Sequence, residues 1–397
     1  MKVIILTGDS FPNGMATASR IKCYARAIKE GGMDCEVVVF RRTERYGVTP
    51  KNTKGKGVFD GDIPFCYIGG TPLRGSNVLK RQIDDRLDVW KTERFLKGHL
   101  QKGDVLFLYM PLHVKQMLHF VKVAYKCKAF SATDLCELPY GTGAETQKAI
   151  HFRKITLEKL FPKLDGIISI SDALMNLAKQ YTTPNCKHIK VPILVDFEKF
   201  YMSDHSTDVD IPYIFHSGTL TQQKDGILGM IEAFGKAVRQ LPMPIRFIST
   251  GSIDKSPHKE KINRLIKQYQ LDDKLFFTGY LCDSELRDYL SKASLVIINK
   301  YNTQQNNYCF STKLGEYLAA SKPVIITNVG EAMNWLTNAE SAYIVEPENT
   351  EALAEAIIHV FNNPEEARLI GLVGQEVCRN CFDYHNWSKP LVNFFMK

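Results

Sequence analysis

The sequence predicts an α/β protein built from two doubly wound parallel-sheet domains in tandem. Three observations carry that expectation. Short, β-branched apolar runs alternate with amphipathic stretches along the whole chain, the pattern of parallel strands covered on both faces by helices. The length of 397 residues exceeds what a single core usually supports. A polar, acidic stretch at 196–212 interrupts the alternation midway. The expected domains are therefore 1–195 and 213–375, with 196–212 as linker. Two such sheets leave a central cleft between their carboxyl edges, where open α/β sheets bind ligands.

In order, 3–6 is a strand, followed by the loop 7–16 and a helix at 18–29 that Gly31-Gly32 ends. A second strand runs over 35–40. This opening lacks the G-x-G-x-x-G fingerprint, and its second strand closes in Phe40-Arg41-Arg42, not in an acid that would hold a ribose. A nicotinamide-dependent dehydrogenase is thereby disfavoured. Residues 42–75 read as long loops around a short strand at 65–68. Next come a charged amphipathic helix at 78–100, a strand at 105–109 and a helix at 114–125. A strand from 129 has the polar end Thr133 to Tyr140. A loop follows at 141–146, expected to be mobile, then a helix at 152–160 and a strand at 166–170. Ser171-Asp172 caps a helix at 173–181. The stretch 189–195 is a strand leading into the linker.

The second half repeats the alternation. Strands are expected at 213–216, 245–249, 275–278, 295–299, 324–326 and 342–345. Helices are expected at 227–241, 259–269, 284–292 (capped by Ser284), 313–320 and 350–361, with helical pattern from 364 onward. A long polar loop is expected at 300–308. Pro323 stops the helix at 313–320, because proline disfavours the α conformation in the residue before it.

Net charge is +8 but uneven: residues 1–190 hold 31 Lys and Arg against 18 Asp and Glu. A basic first half implies an anionic partner, either a phosphate-bearing acceptor or a membrane surface. Nucleic acid is not expected as a partner, since clustered aromatic–basic runs are missing. The N-terminal apolar run is too short for a signal peptide, and no run reaches the roughly 18 apolar residues of a span. A cytoplasmic protein is expected, with peripheral contact at the inner membrane face through the basic half. The ten cysteines lie scattered in apolar segments and fit reduced thiols. Neither a D-x-D pair at a strand end nor a dense Asp/His cluster points to a metal, and no cofactor is expected.

The ligand candidates gather at strand ends. Gly218, Gly251 and Gly279 follow strands and let a ligand approach the backbone. Ser311, Thr312, Lys313 and Leu314 open a helix, whose first-turn N–H groups are a standing site for phosphate. Lys313 there opposes the helix dipole unless an anion is bound. Lys224 precedes a helix, placed to meet a diphosphate, and Glu316 lies one turn in, where a carboxylate can accept from paired sugar hydroxyls. Gly14, Asp134 and Glu137 are candidates at the corresponding edge of the first domain.

Several stretches match a known pattern together: FSTKLGEYLAA at 310–320 with KPVI at 322–325, SGTL at 217–220 with KDG at 224–226, DGII at 165–168 and PILVD at 192–196. As a set they resemble the retaining glycosyltransferases of GT-B fold, most like family 4, over nearly the whole length. The resemblance implies a UDP- or GDP-sugar donor on the C-terminal domain and a glycan or polyprenyl-diphosphate-linked acceptor on the N-terminal domain. It further implies a C-terminal helix, 376–397, that crosses back to the first domain. It assigns Glu316 to the donor ribose and Lys224 to the diphosphate, and Gly14, with Met15, to the acceptor loop. Two positions depart from it: Tyr308 stands where the first acid of an E-x7-E motif would be, and Thr219 where an Arg often lies. Glu137 stands near a position often held by His. The activity implied is a metal-independent hexosyl transfer in surface-polysaccharide synthesis, with Lys224, Lys313 and Glu137 as the catalytic candidates. The alternatives are a non-hydrolysing sugar-nucleotide epimerase and a non-catalytic sugar-nucleotide or glycan-binding protein.

Overall fold

The computed structural model describes residues 1–110, 113–140, 146–201 and 209–396. It divides into two compact units, one of Met1–Leu194 with Tyr384–Lys397 and one of Val195–Asp383.

Among the described residues the first unit has eight strands: β1 Lys2–Thr7, β2 Asp34–Val39, β3 Lys56–Phe59, β4 Ile63–Tyr67, β5 Val105–Tyr109, β6 Phe130–Leu135, β7 Gly166–Ser169 and β8 Lys187–Lys190. Their order is β3-β4-β2-β1-β5-β6-β7-β8, all parallel except β3, which runs antiparallel to β4. The chain reverses direction across the sheet between β1 and β5, so their carboxyl ends flank the switch point where such sheets bind ligands. Strand β1 has Val3, Ile4, Ile5 and Leu6 fully buried, as its unbroken apolar run requires. The last helix, Ser388–Phe395, packs on the helix Ala16–Glu30. It places Phe394 and Phe395 against Phe130, and Phe395 against Phe107. Burying each such ring stabilises the unit by roughly 1.5–3 kcal/mol.

The second unit has β9 Tyr213–His216, β10 Arg246–Ser249, β11 Leu275–Phe277, β12 Leu295–Ile298, β13 Val324–Thr327 and β14 Tyr343–Val345. All are parallel, in the order β11-β10-β9-β12-β13-β14. The switch point falls between β9 and β12. The helix Ile227–Val238 buries Ile227, Met230, Ile231 and Phe234 on the sheet, and Thr350–Asn362 adds Leu353, Ile357 and Phe361 to the same core.

Several elements differ from expectation. Strand β3 lies in a stretch read as loop; KGVF shows no apolar alternation, and pairing with β4 makes it a strand. The helix expected at 152–160 is an α-helix, Gln147–Ile155, running on into a π turn, Thr156–Leu160. The polar loop 300–308 contains the helix Gln304–Tyr308, started by Thr303, whose hydroxyl accepts from the Asn306 N–H. The helix Asp283–Lys292 is capped at Cys282, not Ser284, with the Glu285 carboxylate accepting from the Cys282 N–H. Within 196–212, Phe197–Phe200 is a helical turn with both Phe buried, so this part is packed, not an open linker. The segment 376–397 is not one helix. It is the end of Pro364–Cys381, a 3-10 turn at Tyr384–Trp387 and then Ser388–Phe395. The loop expected to be mobile lies outside the described residues, save Thr146, which caps the helix that follows.

Candidate functional site

In the second unit the site is built around the helix Thr312–Ala319. Leu314, Tyr317 and Leu318 are buried at the i, i+3, i+4 spacing and fix one face on the sheet. Ser311 precedes it in extended conformation without a side-chain cap, and no acid stands in the first turn. The Leu314 N–H donates to the Ser311 carbonyl at 3.1 Å, while the N–H groups before it have no partner one turn back in the helix.

Lys313 stands in that first turn, and its Nζ donates to Asp225 Oδ1 at 2.5 Å. The conflict between a lysine and the helix dipole is therefore resolved by a protein carboxylate, whereas the sequence argument invoked a bound anion. Asp225 is buried and its other oxygen accepts from both the N–H and the hydroxyl of Thr219, each at 2.9 Å. Burial would raise the Asp225 pKa, but Lys313 beside it, with His216 and the Thr219 N–H, holds it well below the usual carboxylate range. The Lys313 side chain keeps 24% of its surface exposed, so its charge is held in place and still reaches solvent.

The backbone around Asp225 explains its position. The short helix Gln222–Asp225 ends at Gly226, whose φ of +60° is left-handed. A Cβ there would lie 2.4 Å from the Asn299 carbonyl, and Asn299 Nδ2 donates to the Gly226 carbonyl at 2.9 Å. Only glycine satisfies both conditions. Lys224, one residue before Asp225, is exposed, and its carbonyl accepts from Lys300 Nζ. Buried Asn306 donates to the carbonyls of Gln223 and Tyr301, tying the helix that ends in Tyr308 to the Lys224 turn. Tyr308 itself is half-buried, eight residues before Glu316.

The loop after β9 is fixed from three sides. The Ser217 N–H donates to Tyr317 Oη at 2.8 Å, the Gly218 N–H to Thr250 Oγ1 at 2.8 Å, and Thr219 to Asp225. A side chain at Gly218 would meet His216 Nε2 at 2.3 Å and Asp225 at 2.9 Å. Gly218 therefore makes room for the His216 ring and the Asp225 carboxylate. His216 is buried; its Nδ1 donates to the Ile297 carbonyl, and its Nε2 has no hydrogen-bond partner and lies 3.8 Å from Asp225. Burial, reinforced by Lys313, pushes its pKa down to about 4. Gly251, at φ +94°, exchanges two backbone hydrogen bonds with Gly279. Glu316 is half-buried on the helix, and burial raises its carboxyl to about 7, with Lys199 opposing the rise and Asp283 adding to it. A small notch lined by Lys300, Phe310, Ser311 and Thr327 opens at the carboxyl ends of β12 and β13.

Sequence reasoning missed Tyr317, His216 and Asp225. Tyr317 read as one more apolar helix position. Asp225 fell inside the quoted KDG at 224–226 but was given no role, because its partner Lys313 is 88 positions away and no local pattern encodes that pairing.

In the first unit, Gly14 leaves no room for a side chain: a Cβ would lie 2.7 Å from Ala18 Cβ and 2.8 Å from the Ser10 carbonyl. The loop before it is held by Asn52, which exchanges bonds with the Asn13 backbone, and by buried Glu44, which accepts from Asn52 and Ser10. Met15 follows, 63% exposed. Asp134 corrects an expectation. It is fully buried, its carboxylate taken by Arg20 at 3.0 and 3.3 Å and by Tyr24 Oη at 2.8 Å. Arg20 also donates to the carbonyls of Val191 and Pro192. Asp134 is thus a core anchor and not an acceptor contact. Glu137 is half-buried at the end of β6. Burial raises the pKa of Asp9, Arg41 opposes the rise, and Glu137 adds to it. Arg41 in turn contacts the His113 ring, whose pKa burial and Arg41 push down to about 4. Asp9, Arg41, His113 and Glu137 follow β1, β2, β5 and β6, one group per strand end.

Residues 198–375 match the family described as Glycosyl transferases group 1. No curated protein matches the chain. Among solved structures, sucrose-phosphate synthase from Thermosynechococcus elongatus is similar at TM-score 0.74 and 17% identity, covering 100% of this chain and 98% of the other. HepE of Anabaena, in complex with UDP and glucose, is similar at TM-score 0.72 and 14% identity, over 99% and 98% of the two chains. A TarM variant of S. aureus, in complex with fondaparinux, alpha-GlcNAc-glycerol and UDP, is similar at TM-score 0.70 and 11% identity, over 100% of each. The full-length correspondence, with two switch-point sheets in sequence, establishes the GT-B fold, and the family match falls on the unit that holds Lys313 and Glu316.

Proposed function

We propose that this protein transfers a sugar from a UDP- or GDP-sugar to a glycan or lipid-linked acceptor, with retention at the anomeric carbon. The observation that carries the reading is the Lys313–Asp225 pair: a cation fixed at an uncapped helix N-terminus, one turn before a half-buried Glu316, inside the segment that matches the glycosyltransferase family. The neighbours that hold UDP support a nucleotide-diphosphate donor.

The leaving diphosphate would be stabilised by Lys313, by Lys224 and by the first-turn N–H groups, donors already in place as charge develops. Glu316 would accept from the two ribose hydroxyls, and Tyr308 would stand near the donor sugar. Ser311 and Thr312 would supply backbone N–H groups to the phosphates, with Leu314, whose N–H donates to the Ser311 carbonyl, closing the turn behind them. As the anomeric C–O bond to phosphate breaks, the acceptor oxygen bonds on the same face. The leaving phosphate oxygen takes the acceptor proton, so no metal and no separate base are invoked. Gly14, Met15 and Glu137 would form the acceptor side, joined by Arg41 and His113.

Incubation with a panel of UDP- and GDP-sugars and glycan or polyprenyl-phosphate acceptors, in the presence of a chelator, is expected to release nucleotide and give a product of unchanged anomeric configuration by NMR. An inverted product sinks the retaining assignment. Donor binding by calorimetry with no turnover on any acceptor would favour a binding protein, a reading to which Thr219 lends weight because it spends its donors on Asp225.

A further inference from the structure

The helix Val78–His99 turns an apolar stripe to solvent. Leu79, Ile83, Leu87 and Trp90 follow at spacings of 4, 4 and 3, which places them on one side of a helix. They are 68, 50, 46 and 55% exposed. The packing of the helix is met on its other side by buried Asp88, Thr92 and Leu96.

The charges of the same helix are sorted by sign. Asp84 and Asp88 face Arg42 at 2.6 and 3.4 Å, and Asp85 faces Arg74 at 4.0 Å. Glu93 is shared between Lys97 and His119. The bases Lys80, Arg86, Lys91 and Arg94 are exposed. The Arg94 guanidinium lies 5.9 Å from the Trp90 ring centroid. Carboxylates thus point to partners within the unit, while cations border the apolar stripe. The adjoining helix Val114–Cys127 exposes Lys115, Lys122 and Tyr125.

We propose that this face seats on an anionic lipid surface, with the helix lying in the plane of the interface. Twenty-two residues give a rod of about 33 Å, along which Leu, Ile and Trp enter the acyl boundary while Lys and Arg meet lipid phosphates. Among the described residues no helix is long and apolar enough to cross a membrane, so the contact is peripheral. A second copy is a poor occupant, because a two-fold contact would set the same four cations against themselves. The proposal does not depend on the donor chemistry, although a lipid-linked acceptor would give it a purpose.

The test is sedimentation of the full chain with vesicles of phosphatidylcholine, alone or mixed with phosphatidylglycerol. Binding is expected only to the mixed vesicles and is expected to weaken as salt rises. Leu79→Ser combined with Ile83→Ser and Trp90→Ser is expected to lower the partition coefficient roughly tenfold or more, as is Lys91→Glu with Arg94→Glu. All five positions are exposed, so unfolding temperature and UDP binding should not change. Equal binding of wild type to neutral vesicles, or partitioning indifferent to both variants, overturns the proposal. So does a dimer in size-exclusion chromatography that the serine variant dissolves while no vesicle binding is seen. Absence of both UDP and GDP binding by the wild type would sink the glycosyltransferase reading and leave this one standing.

Discussion

Two aspartate–cation pairs, one in each unit, use the same chemistry to opposite ends. Arg20 and Asp134 are 2% and 0% exposed, and the guanidinium is spent on a carboxylate, a tyrosine and two carbonyls. Lys313 is 24% exposed and is tied to Asp225 by one bond. Arginine's planar fork suits the saturated, buried role; lysine's single ammonium, with three donors, suits a role in which part of its capacity stays available. A charge pair at a sheet edge is therefore no sign of a site by itself. What distinguishes the candidate site is that its cation still reaches solvent.

The comparison breaks first on stability. Arg20→Met leaves Asp134 buried without its counter-charge and should destabilise the first unit by about 3–5 kcal/mol in urea unfolding; a loss below 1 kcal/mol would show the pair to be dispensable. Next, Lys313→Ala should lower kcat by roughly 100- to 1,000-fold if the exposed ammonium meets the leaving diphosphate. An unaltered kcat would make Lys313 a structural partner of Asp225 and no more. Lys224→Ala should lower kcat roughly tenfold with no change in unfolding temperature, since its side chain is exposed; a changed unfolding temperature with constant kcat would reverse its assignment.

The smallest effects are pH effects, and they carry opposite signs. The Glu316 carboxyl is raised from 4.5 to about 7, so the folded protein binds a proton that the unfolded chain has lost. Its contribution to stability is present below pH 4.5 and fades as pH rises through 7. The His216 ring is lowered from 6.5 to about 4, so its contribution is present above pH 6.5 and is lost as pH falls towards 4. Glu316→Gln should remove the first slope and keep the second, as thermal unfolding across pH 4–8 would show. Because ribose hydroxyls donate to the ionised form, the donor KM of the wild type should fall a few-fold as pH rises through 7, and the Gln variant should lose that dependence.

Much of the fold was legible because parallel strands buried on both faces announce themselves as unbroken apolar runs. Tyr213–His216 and the helix Lys259–Tyr269 are read to the residue. Elements that owe their form to pairing were not. Strand β3 has no alternation, the helix Gln304–Tyr308 has no apolar face, and the Cys282 cap uses a residue type without capping preference. The helix Thr312–Ala319 was legible from its small polar opening and its period. Asp225, Tyr317 and His216 were not, since each acts through a partner on another strand or helix. Asp134 misled for the converse reason: a polar strand end looks the same whether it faces a ligand or a buried arginine.

The first unit takes its final core pieces, Phe394 and Phe395, from the far end of the chain, whereas the second unit is one uninterrupted stretch. During synthesis the order of completion is therefore inverted. The second unit has all its residues once Asp383 has emerged, while the first, although made earlier, waits with Phe107, Phe130 and Gly166 uncovered until residue 395 arrives.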